Sequence, residues 1–220
     1  MKKYVIIVAG GKGKRMDSEI PKQFIRIEKF PVLMLTINRF YLYDNNITFI
    51  VGLPYNQHEF WKKLCNEFDF RIDHQIVEGG ETRFHTVKNC LKHIKDHSLV
   101  AVHDGVRPFV STKTIQRCFD LAEKKGTAIP VLSLTESIRL VKGEESKALN
   151  REEYKTIQTP EVFRSDIILQ SYDTGYLSSF TDDASVIEKA GYKIYMTEGN
   201  IENIKITTPN DLKIARCYIS

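Results

Sequence analysis

Short apolar runs alternate with longer amphipathic segments along the N-terminal part of the chain. The runs 4–8, 47–53, 75–77 and 99–102 are apolar over strand-like lengths, and we predict strands there. The segments 32–43, 57–68 and 81–94 repeat apolar positions at helical spacing, and we predict helices there. Strands that alternate with helices are typical of parallel βαβ units. The pattern predicts an α/β fold, with a Rossmann-like, mostly parallel sheet and helices on both faces.

The alternation is interrupted after Pro130. The runs 137–141 and 154–158 have strand-like patterns, and the polar segment between them contains Gly143 but no apolar core. We therefore predict a protruding β arm at about 137–152, and we expect it to pair with a second subunit because exposed strand edges seldom stay unpaired. In the remaining chain the pattern predicts helices at 165–177, 182–190 and 210–219, and strands at 193–197 and 203–207. Residues 1–220 are expected to form one domain, without a fused second one.

The segment that follows the first strand is chemically the most informative. Residues 9–16 have the sequence Ala-Gly-Gly-Lys-Gly-Lys-Arg-Met, and Pro21 and Lys22 come shortly afterwards. Glycines let backbone N–H groups approach phosphate oxygens, and Arg15 and Lys22 add mobile positive charge. The Lys-Ser or Lys-Thr pair of a P-loop is absent, and so is the Gly-x-Gly-x-x-Gly of a dinucleotide site. The segment predicts a triphosphate-binding turn; the alternative is a tight turn with solvated cations.

Two further loops also follow predicted strands. Gly79 and Gly80 come after the third strand, and the segment 103–108 comes after the fourth. In open α/β sheets, ligands bind at the carboxyl ends of the strands. We therefore expect three loops to meet at one edge of the sheet, where a nucleotide would lie.

Composition narrows the class of protein. A chain of 220 residues with 42% apolar and 27% charged residues can bury a substantial core and is neither disordered nor fibrous. Its formal net charge of +4 suits a small anionic substrate, and the cations do not form the basic stripe with aromatic platforms that favours nucleic acid. No stretch has the length of a membrane span. We expect neither nucleic acid nor a membrane as a partner.

The cysteines and the N-terminus indicate the compartment. The cysteine spacing fits neither a zinc motif nor a compact disulfide framework, and we expect buried, reduced thiols at Cys65, Cys90, Cys118 and Cys217. The chain begins with two lysines and a predicted strand, without the apolar run of a signal peptide. These features predict a cytoplasmic protein.

The opening segment resembles the signature of nucleotidyltransferases that act on sugar nucleotides and polyol phosphates. Six blocks also resemble the 2-C-methyl-D-erythritol 4-phosphate cytidylyltransferase family in order and spacing, namely residues 20–24, 78–83, 102–108, 158–160, 181–184 and 202–207. The resemblance implies a fold of the nucleotide-diphospho-sugar transferase type. It also implies transfer of a cytidylyl group from CTP to 2-C-methyl-D-erythritol 4-phosphate in the non-mevalonate pathway to isoprenoids, with release of pyrophosphate and with Mg²⁺ on the triphosphate.

The resemblance implies roles for individual residues. The catalytic cations would be Arg15, Lys22, Arg151 and Lys205. The CTP-binding residues would be Ala9, Gly10, Gly11, Gly80, Glu81, Thr86, Asp104 and Gly105. The acceptor would contact Ser137, Arg107, Thr159 and Thr181. Asp104 is also the candidate metal ligand, although the CTP phosphates would hold most of the Mg²⁺, and the arm would form a homodimer.

Several residues in these blocks also suit a purely structural role. Arg83 and Arg107 also suit salt-bridged anchors of their loops, and Asp182 suits the N-cap of the following helix. His103 suits a packed, hydrogen-bonded strand end better than an acid or a base, because a phosphate nucleophile needs neither. Lys205 alternates with isoleucines and also suits a lysine that faces solvent.

Two alternative functions stay open on the sequence. Ribitol 5-phosphate cytidylyltransferases share most of the blocks, and the chain has Gly105 and Val106 where many members of the methylerythritol family have Ala-Ala or Ala-Val. Glu81 and Ser137 also replace a frequent Asp and a frequent Thr. A nucleotide-binding module without catalysis is the second alternative. It is disfavoured because binding alone does not require Arg15, Lys22 and Lys205 together.

Overall fold

The computed structural model describes residues 1–11 and 20–219, so Arg15 and most of the predicted glycine turn lie outside the described residues. The strands are β1 (Lys2–Val8), β2 (Arg26–Ile27), β3 (Phe30–Pro31), β4 (Thr48–Leu53), β5 (Gln75–Glu78), β6 (Ser98–Asp104), β7 (Thr127–Ser133), β8 (Ile138–Lys142), β9 (Glu145–Leu149), β10 (Lys155–Ile157), β11 (Glu161–Arg164) and β12 (Met196–Glu198). The α-helices are α1 (Val32–Tyr43), α2 (His58–Glu67), α3 (Arg83–Leu91), α4 (Thr112–Lys125), α5 (Ser165–Ser171), α6 (Asp183–Lys189) and α7 (Pro209–Cys217). Short 3₁₀ helices cover Lys22–Phe24, Tyr55–Gln57 and Arg151–Glu153.

One central sheet organises these elements. Its strands lie in the order β10, β7, β11, β6, β1, β4 and β5, and β12 also pairs with β7. The pairs of β1 with β4, β1 with β6, β4 with β5 and β7 with β12 are parallel. Among the described strands of this sheet, β10 and β11 run in the opposite direction to the others. The predicted mostly parallel α/β sheet is therefore confirmed.

The side chains of β1 divide between two apolar layers. Val5 and Ile7 pack on the face that α1, α2 and α4 cover. Tyr4 and Ile6 pack on the opposite face, against α3, α5 and α6. Successive strand residues point to opposite faces, so a strand covered on both sides is apolar throughout. Helices on both faces are confirmed, and among the described residues no helix is long and apolar enough to span a membrane.

The C-terminal elements depart from the prediction in several places. Strand β7 continues through Pro130, whose carbonyl accepts a hydrogen bond from Gln158 N at 2.8 Å although the proline lacks an N–H to donate. Helix α5 ends at Ser171, earlier than predicted. Residues 203–207 form no strand and are joined to the neighbouring loop by a hydrogen bond from Ile206 N to Val106 O.

The arm also differs from its predicted pairing. Strands β8 and β9 form an antiparallel hairpin, and β9 lies inside the segment that appeared to have no strand. The turn between them contains Gly143 at φ 58°, a left-handed angle that favours glycine. Strand β10, which was expected to belong to the arm, pairs with β7 in the central sheet. Nearly every side chain of β8 and β9 is exposed, so this hairpin has little apolar cover of its own.

The cysteines follow the prediction only in part. All four lie within the described residues and are thiols; Cys90 and Cys118 are buried and Cys65 is partly buried. Burial raises the pKa of Cys90 and Cys118 to about 12, which makes these two thiols unreactive. The predicted burial of Cys217 is wrong, because its helix α7 lies at the surface and leaves the side chain exposed.

Candidate active site

A cavity of about 820 Å³ opens at the carboxyl edge of the parallel strands. This volume lies within the usual range of small-molecule sites, about 300–1,000 Å³. The predicted site residues that line it are Ala9, Gly10, Gly11, Lys22, Gly80, Glu81, Thr86, Asp104 and Lys205. The expected meeting of three loops at one edge of the sheet is therefore confirmed, with Lys22 and Lys205 supplied by two further segments.

Gly80 forms the junction between this cavity and α3. A Cβ at Gly80 would lie 2.3 Å from His85 Cβ and 2.9 Å from the backbone carbon of His85, so the close packing requires glycine. Gly80 N donates to Thr86 Oγ1 at 3.0 Å, and the Thr86 hydroxyl donates to Thr82 O at 3.1 Å. Thr82 caps α3 by accepting from His85 N. The sequence thus places backbone, rather than bulky side chains, along this wall.

Gly105 has a different role from the cavity-lining glycines. It is buried behind the wall, where an added Cβ would lie 2.9 Å from Ala9 Cβ and 3.2 Å from Val8 O. Its N–H donates to Val8 O at 2.9 Å. Gly105 therefore lets the end of β6 pack closely under the end of β1, and it is not among the residues that line the cavity.

The carboxylate of Asp104 lies at the centre of a cluster of cations. Its Oδ2 is 3.1 Å from Arg107 Nε and 3.1 Å from Lys205 Nζ, and its Oδ1 is 3.6 Å from Arg83 Nε. Burial raises the pKa of Asp104, but Lys205, Arg83 and Arg107 outweigh it and hold the pKa well below its ordinary value. Asp104 is therefore ionised and holds Lys205, which is 41% exposed, at the cavity.

The two arginines are salt-bridged, so the anchoring alternative is confirmed for both. Arg107 donates from Nε to Asp104 and from Nη1 to Asn203 O at 2.7 Å, and its side chain is only 13% exposed. Arg83 Nη2 lies 2.6 Å from Asp183 Oδ2. Asp104 and Asn203 thus occupy two of the donor nitrogens of Arg107. The contact of Arg107 with the acceptor stays a prediction.

His103 is the packed strand-end histidine that the alternative interpretation describes. It is fully buried; its Nε2 lies 3.1 Å from Arg107 O and its Nδ1 lies 2.9 Å from Thr159 Oγ1. Burial lowers the pKa of His103 to about 4, so the ring is neutral near pH 7. A carbonyl oxygen only accepts, hence Nε2 carries the hydrogen and the Thr159 hydroxyl donates to Nδ1.

Thr159 is consequently occupied within the protein. Its oxygen accepts from Asp104 N at 3.1 Å while its hydrogen is directed to His103, and the side chain is buried. A contact with an acceptor phosphate would require that hydrogen to turn away from His103. The geometry shown is a chain of hydrogen bonds that fixes the backbone of Asp104.

Three predicted residues are exposed and lie outside the cavity wall of this chain: Ser137, Arg151 and Thr181. Arg151 donates from Nη1 to Thr135 O at the base of the hairpin. Thr181 directly precedes Asp182, which caps α6 in a capping box, so the structural alternative for Asp182 is confirmed. The chain by itself does not bring Ser137 and Arg151 to the cation cluster.

Gln23 is a site residue that the sequence interpretation missed. Its side chain is buried, and Nε2 donates to Ala9 O at 2.8 Å and to Gln57 Oε1 at 2.6 Å. These bonds hold the segment that carries Lys22 against the turn after β1. The available signal was the position of Gln23 next to Lys22 in a matched block. The sequence alone does not show, however, whether such a polar side chain is buried.

Few groups of the described residues suit a metal ion. No group of three or more His, Cys, Asp or Glu side chains among them is arranged for metal binding. The cavity wall presents the carboxylates of Asp104 and Glu81. Mg²⁺ in nucleotide sites commonly takes one or two carboxylates together with substrate phosphates. This donor set fits an ion held mainly by phosphate oxygens, with Asp104 or Glu81 as its protein ligand.

A doubly covered α/β sheet with a glycine-lined, cation-rich cavity at its carboxyl edge, completed by the Arg-Met and Pro-Lys signature of the sequence, defines a nucleotidyltransferase. The family model for 2-C-methyl-D-erythritol 4-phosphate cytidylyltransferase matches residues 3–220. A protein of that name from Bacteroides thetaiotaomicron is 50% identical over 219 residues, and one from Phocaeicola vulgatus is 48% identical over 219 residues; each comparison covers 100% of both chains. The chain belongs to the 2-C-methyl-D-erythritol 4-phosphate cytidylyltransferase family.

Solved structures agree with this assignment. The crystal structure of the 2-C-methyl-D-erythritol 4-phosphate cytidylyltransferase from Thermus thermophilus superposes with a TM-score of 0.81 at 28% identity. That comparison covers 99% of this chain and 98% of the other. The enzyme of the same name from Francisella tularensis gives a TM-score of 0.82 at 29% identity, with 99% of each chain covered. The predicted family resemblance is confirmed.

The buried His103 predicts a dependence of stability on pH. An unfolded histidine takes up a proton below about pH 6.5, whereas the folded protein protonates His103 only below about 4. The unfolded state binds more protons in this window, so the contribution of His103 to the free energy of unfolding is lost as the pH falls from 6.5 to 4. At about 1.36 kcal/mol per pKa unit, we expect a loss of about 3 kcal/mol.

Urea denaturation between about pH 4.5 and about pH 7.5, a range that brackets the ordinary histidine pKa, measures this effect as a difference between variants. His103→Gln should flatten the pH profile of the free energy of unfolding relative to wild type, because glutamine does not titrate. His97→Gln, at an exposed position, is the matched control and should leave the profile unchanged. Parallel profiles for wild type and His103→Gln would contradict the prediction.

Proposed function

We propose that this chain transfers the cytidylyl group of CTP to 2-C-methyl-D-erythritol 4-phosphate, giving 4-diphosphocytidyl-2-C-methyl-D-erythritol and pyrophosphate in the synthesis of isoprenoid precursors. The observation that carries the proposal is the family match over residues 3–220 together with a cavity lined by Ala9, Gly10, Gly11 and Lys22. Backbone N–H groups at such a turn suit phosphate oxygens.

The reaction requires little covalent work from the protein. An oxygen of the acceptor phosphate attacks the α-phosphorus of CTP, and the bond from that phosphorus to the bridging oxygen breaks as pyrophosphate leaves. A phosphomonoester has a second pKa near about 6, so the nucleophile is already largely ionised at neutral pH. The described residues that line the cavity include no histidine or cysteine, in agreement with a step that needs no general base.

Positioning and electrostatic stabilisation are therefore the main sources of rate enhancement. Lys22 lies beside the glycine turn; a Cβ on Gly11 would be 3.4 Å from Lys22 Cε. Lys205 faces the same cavity from the side of Asp104. We assign Lys22 and Arg15 to the triphosphate and Lys205 to the acceptor phosphate, so that two anions meet between separate cations.

We further propose that Mg²⁺ accompanies the triphosphate. When bound, the ion would neutralise part of the charge on the phosphates, and Asp104 or Glu81 would be its protein ligand, as the donor set of the cavity allows.

The protein is expected in the cytoplasm, because buried, unreactive thiols such as Cys90 and Cys118 suit a reducing compartment.

Ribitol 5-phosphate stays the alternative acceptor. Both acceptors present a phosphomonoester to the same cations, so a phosphate-binding cluster alone does not distinguish between the polyols. Relatives from Phocaeicola vulgatus, Bacteroides thetaiotaomicron and Porphyromonas gingivalis, with 46–50% identity over nearly the whole chain, carry the methylerythritol name, and this supports the preferred acceptor. A module that binds nucleotides without catalysis would not need both Lys22 and Lys205 in the cavity.

The first assay concerns the acceptor. We expect magnesium-dependent release of pyrophosphate from CTP with 2-C-methyl-D-erythritol 4-phosphate, at a higher kcat/KM than with ribitol 5-phosphate. A coupled pyrophosphate assay with the two acceptors in parallel measures both, and a reaction with chelator is the control for the metal. Faster turnover of ribitol 5-phosphate would reverse the assignment. If neither acceptor released pyrophosphate, the nucleotide-binding module without catalysis would be the remaining function.

The second prediction concerns the cations of the triphosphate. Arg15→Ala and Lys22→Ala should each lower kcat about a hundredfold or more, because the charge that they oppose grows in the transition state. The dissociation constant for CTP should change much less. Lys124→Ala, an exposed lysine on α4, is the matched control and should behave as wild type. If KM for CTP rises while kcat stays near the wild-type value, these residues only bind phosphate uniformly.

We propose that the hairpin β8–β9 joins two chains into a homodimer. Isolated two-stranded hairpins are marginally stable in water, and this one exposes Leu140 and Val141. Ser137 and Arg151 flank the hairpin and lie outside the cavity wall of their own chain. A partner that receives the hairpin would gain Arg151 for its acceptor phosphate, so each site would combine residues of both subunits.

Mixed dimers test this arrangement. Each proposed site combines Lys22 of one subunit with Arg151 of the other. A mixed dimer of a Lys22→Ala subunit and an Arg151→Ala subunit would therefore have one site that carries both substitutions and one intact site. Mixing the two inactive proteins under exchange conditions should restore up to roughly a quarter of wild-type activity, given statistical pairing in a symmetric dimer. Unmixed variants carried through the same exchange are the control. A monomer in solution, or no recovery after demonstrated exchange, would place the whole site within one chain.

A further inference from the structure

The hydrogen-bond ladder of β1 ends at Ala9, one residue beyond the strand. Val8 pairs with Gly52 of β4, and Ala9 N donates to Gly52 O at 3.0 Å. In a parallel ladder of this register, the carbonyl of Ala9 would next accept from the backbone nitrogen of residue 54. Residue 54 is a proline, which has no N–H to donate. The sequence therefore leaves the Ala9 carbonyl without its ladder partner.

The side chain of Gln23 supplies the missing donor. Ala9 and Gln23 are both buried, and Gln23 Nε2 donates to Ala9 O at 2.8 Å. The same nitrogen donates to Gln57 Oε1 at 2.6 Å. A backbone carbonyl oxygen only accepts, so the nitrogen of the Gln23 amide, and not its oxygen, faces Ala9. This bond matters because a buried carbonyl without a partner is costly.

A hydrogen bond to the carbonyl of Ala9 also fixes the N–H that follows it. The C=O of Ala9 and the N–H of Gly10 belong to one planar trans peptide, so they point in opposite directions. Gln23 therefore holds the N–H of Gly10 on the side of the peptide that faces away from the Gln23 amide. Gly10 lines the cavity, and it presents only backbone atoms because it has no side chain. Without such a bond the peptide could turn over, since glycine accepts backbone angles that other residues avoid.

We propose that Gln23 is a positioning residue that holds the peptide between Ala9 and Gly10 in one orientation, so that Gly10 N–H is preorganised for a phosphate oxygen of CTP. The inference rests on the proposed function, since it concerns the nucleotide of the same reaction. A donor that is held in place before binding needs no reorganisation when the charge of the substrate arrives. Without Gln23, the peptide would turn its carbonyl oxygen toward the cavity in part of the molecules, and that oxygen repels phosphate.

Two substitutions of Gln23 distinguish this role from simple packing. Gln23→Leu keeps a side chain of similar size but has no donor. Gln23→Glu is nearly isosteric, and its effect depends on protonation, because an ionised carboxylate only accepts whereas a protonated carboxyl donates one hydrogen, which can replace the bond to Ala9 O. Burial raises the pKa of such a carboxyl, so it can titrate near neutral pH. The exposed Gln116 on α4 provides the matched controls Gln116→Leu and Gln116→Glu.

The melting temperature, the dissociation constant of CTP by calorimetry and kcat/KM for CTP are measured at about pH 5.5 and at about pH 8, a range over which buried carboxyls can titrate. At the higher pH we expect kcat/KM for CTP to fall about a hundredfold in both Gln23 variants, the usual effect of losing one preorganised donor. Relative to wild type at the same pH, Gln23→Glu should recover about tenfold or more at the lower pH, because its carboxyl is then protonated, and Gln23→Leu should not recover. The dissociation constant of CTP should follow the same pattern, and the Gln116 variants should match wild type throughout.

Comparison with wild type at each pH removes the titration of the substrate phosphates. Lys22 and His58 are the titratable residues next to Gln23 and Gln57 in the chain, and Gln23→Leu keeps both, so any titration of theirs appears in that variant as well. Should Gln23→Leu fail to fold, the change of Gln23→Glu between the two pH values decides the result.

The outcomes separate this inference from the proposed function. A ratio of Gln23→Glu to wild type that is the same at both pH values would overturn the inference, and so would an equal recovery of Gln23→Leu. A wild type that binds CTP but turns over neither polyol phosphate would overturn the proposed function, and the dissociation constants of CTP would then decide the inference by the same comparison.

Discussion

The buried carboxylate of Asp104 is the constraint on which the site depends. It comes at the end of β6 and faces Arg83, Arg107 and Lys205, which belong to three separate parts of the chain. A buried carboxylate is costly unless it is paired, and removing one partner of a buried pair commonly costs about 3–5 kcal/mol. The burial of the Asp104 carboxylate is therefore favourable only when these segments converge. Because of this requirement, the cavity assembles as the protein folds.

Much of the fold was accessible from the sequence because the parallel strands are buried on both faces. Such strands appear as short apolar runs, and β1, β4, β5 and β6 were predicted within a few residues. Strands β7 and β11 were harder to predict, since β11 carries a buried glutamate and β7 runs through Pro130. The pairing of β8 with β9 was missed because their exposed side chains show no apolar face to reveal it.

The same distinction applies to the site. The residues that line the cavity were predictable, because glycine turns and cations after strands have a chemical interpretation and a family pattern. The supporting residues were not: Gln23, Asp183 and Glu161 are polar, and only the structure shows that they are buried. A sequence gives the type of a side chain but not its partners. Thus Arg83 could be identified as a possible anchor, whereas the two carboxylates that it joins could not.

The charges of the cluster show why an anion would enter it. Burial raises the pKa of Glu161, and the nearby Asp183 adds to the effect, so the neutral form of Glu161 is favoured. Three cations, Arg83, Arg107 and Lys205, surround the carboxylate of Asp104, and Arg83 also contacts Asp183. Lys205 is the most exposed of these cations. A phosphate can therefore pair with Lys205 without leaving Asp104 unpaired, because Arg107 and Arg83 remain. The internal ion pairs hold the cations in place before the substrate arrives, and little reorganisation accompanies its binding.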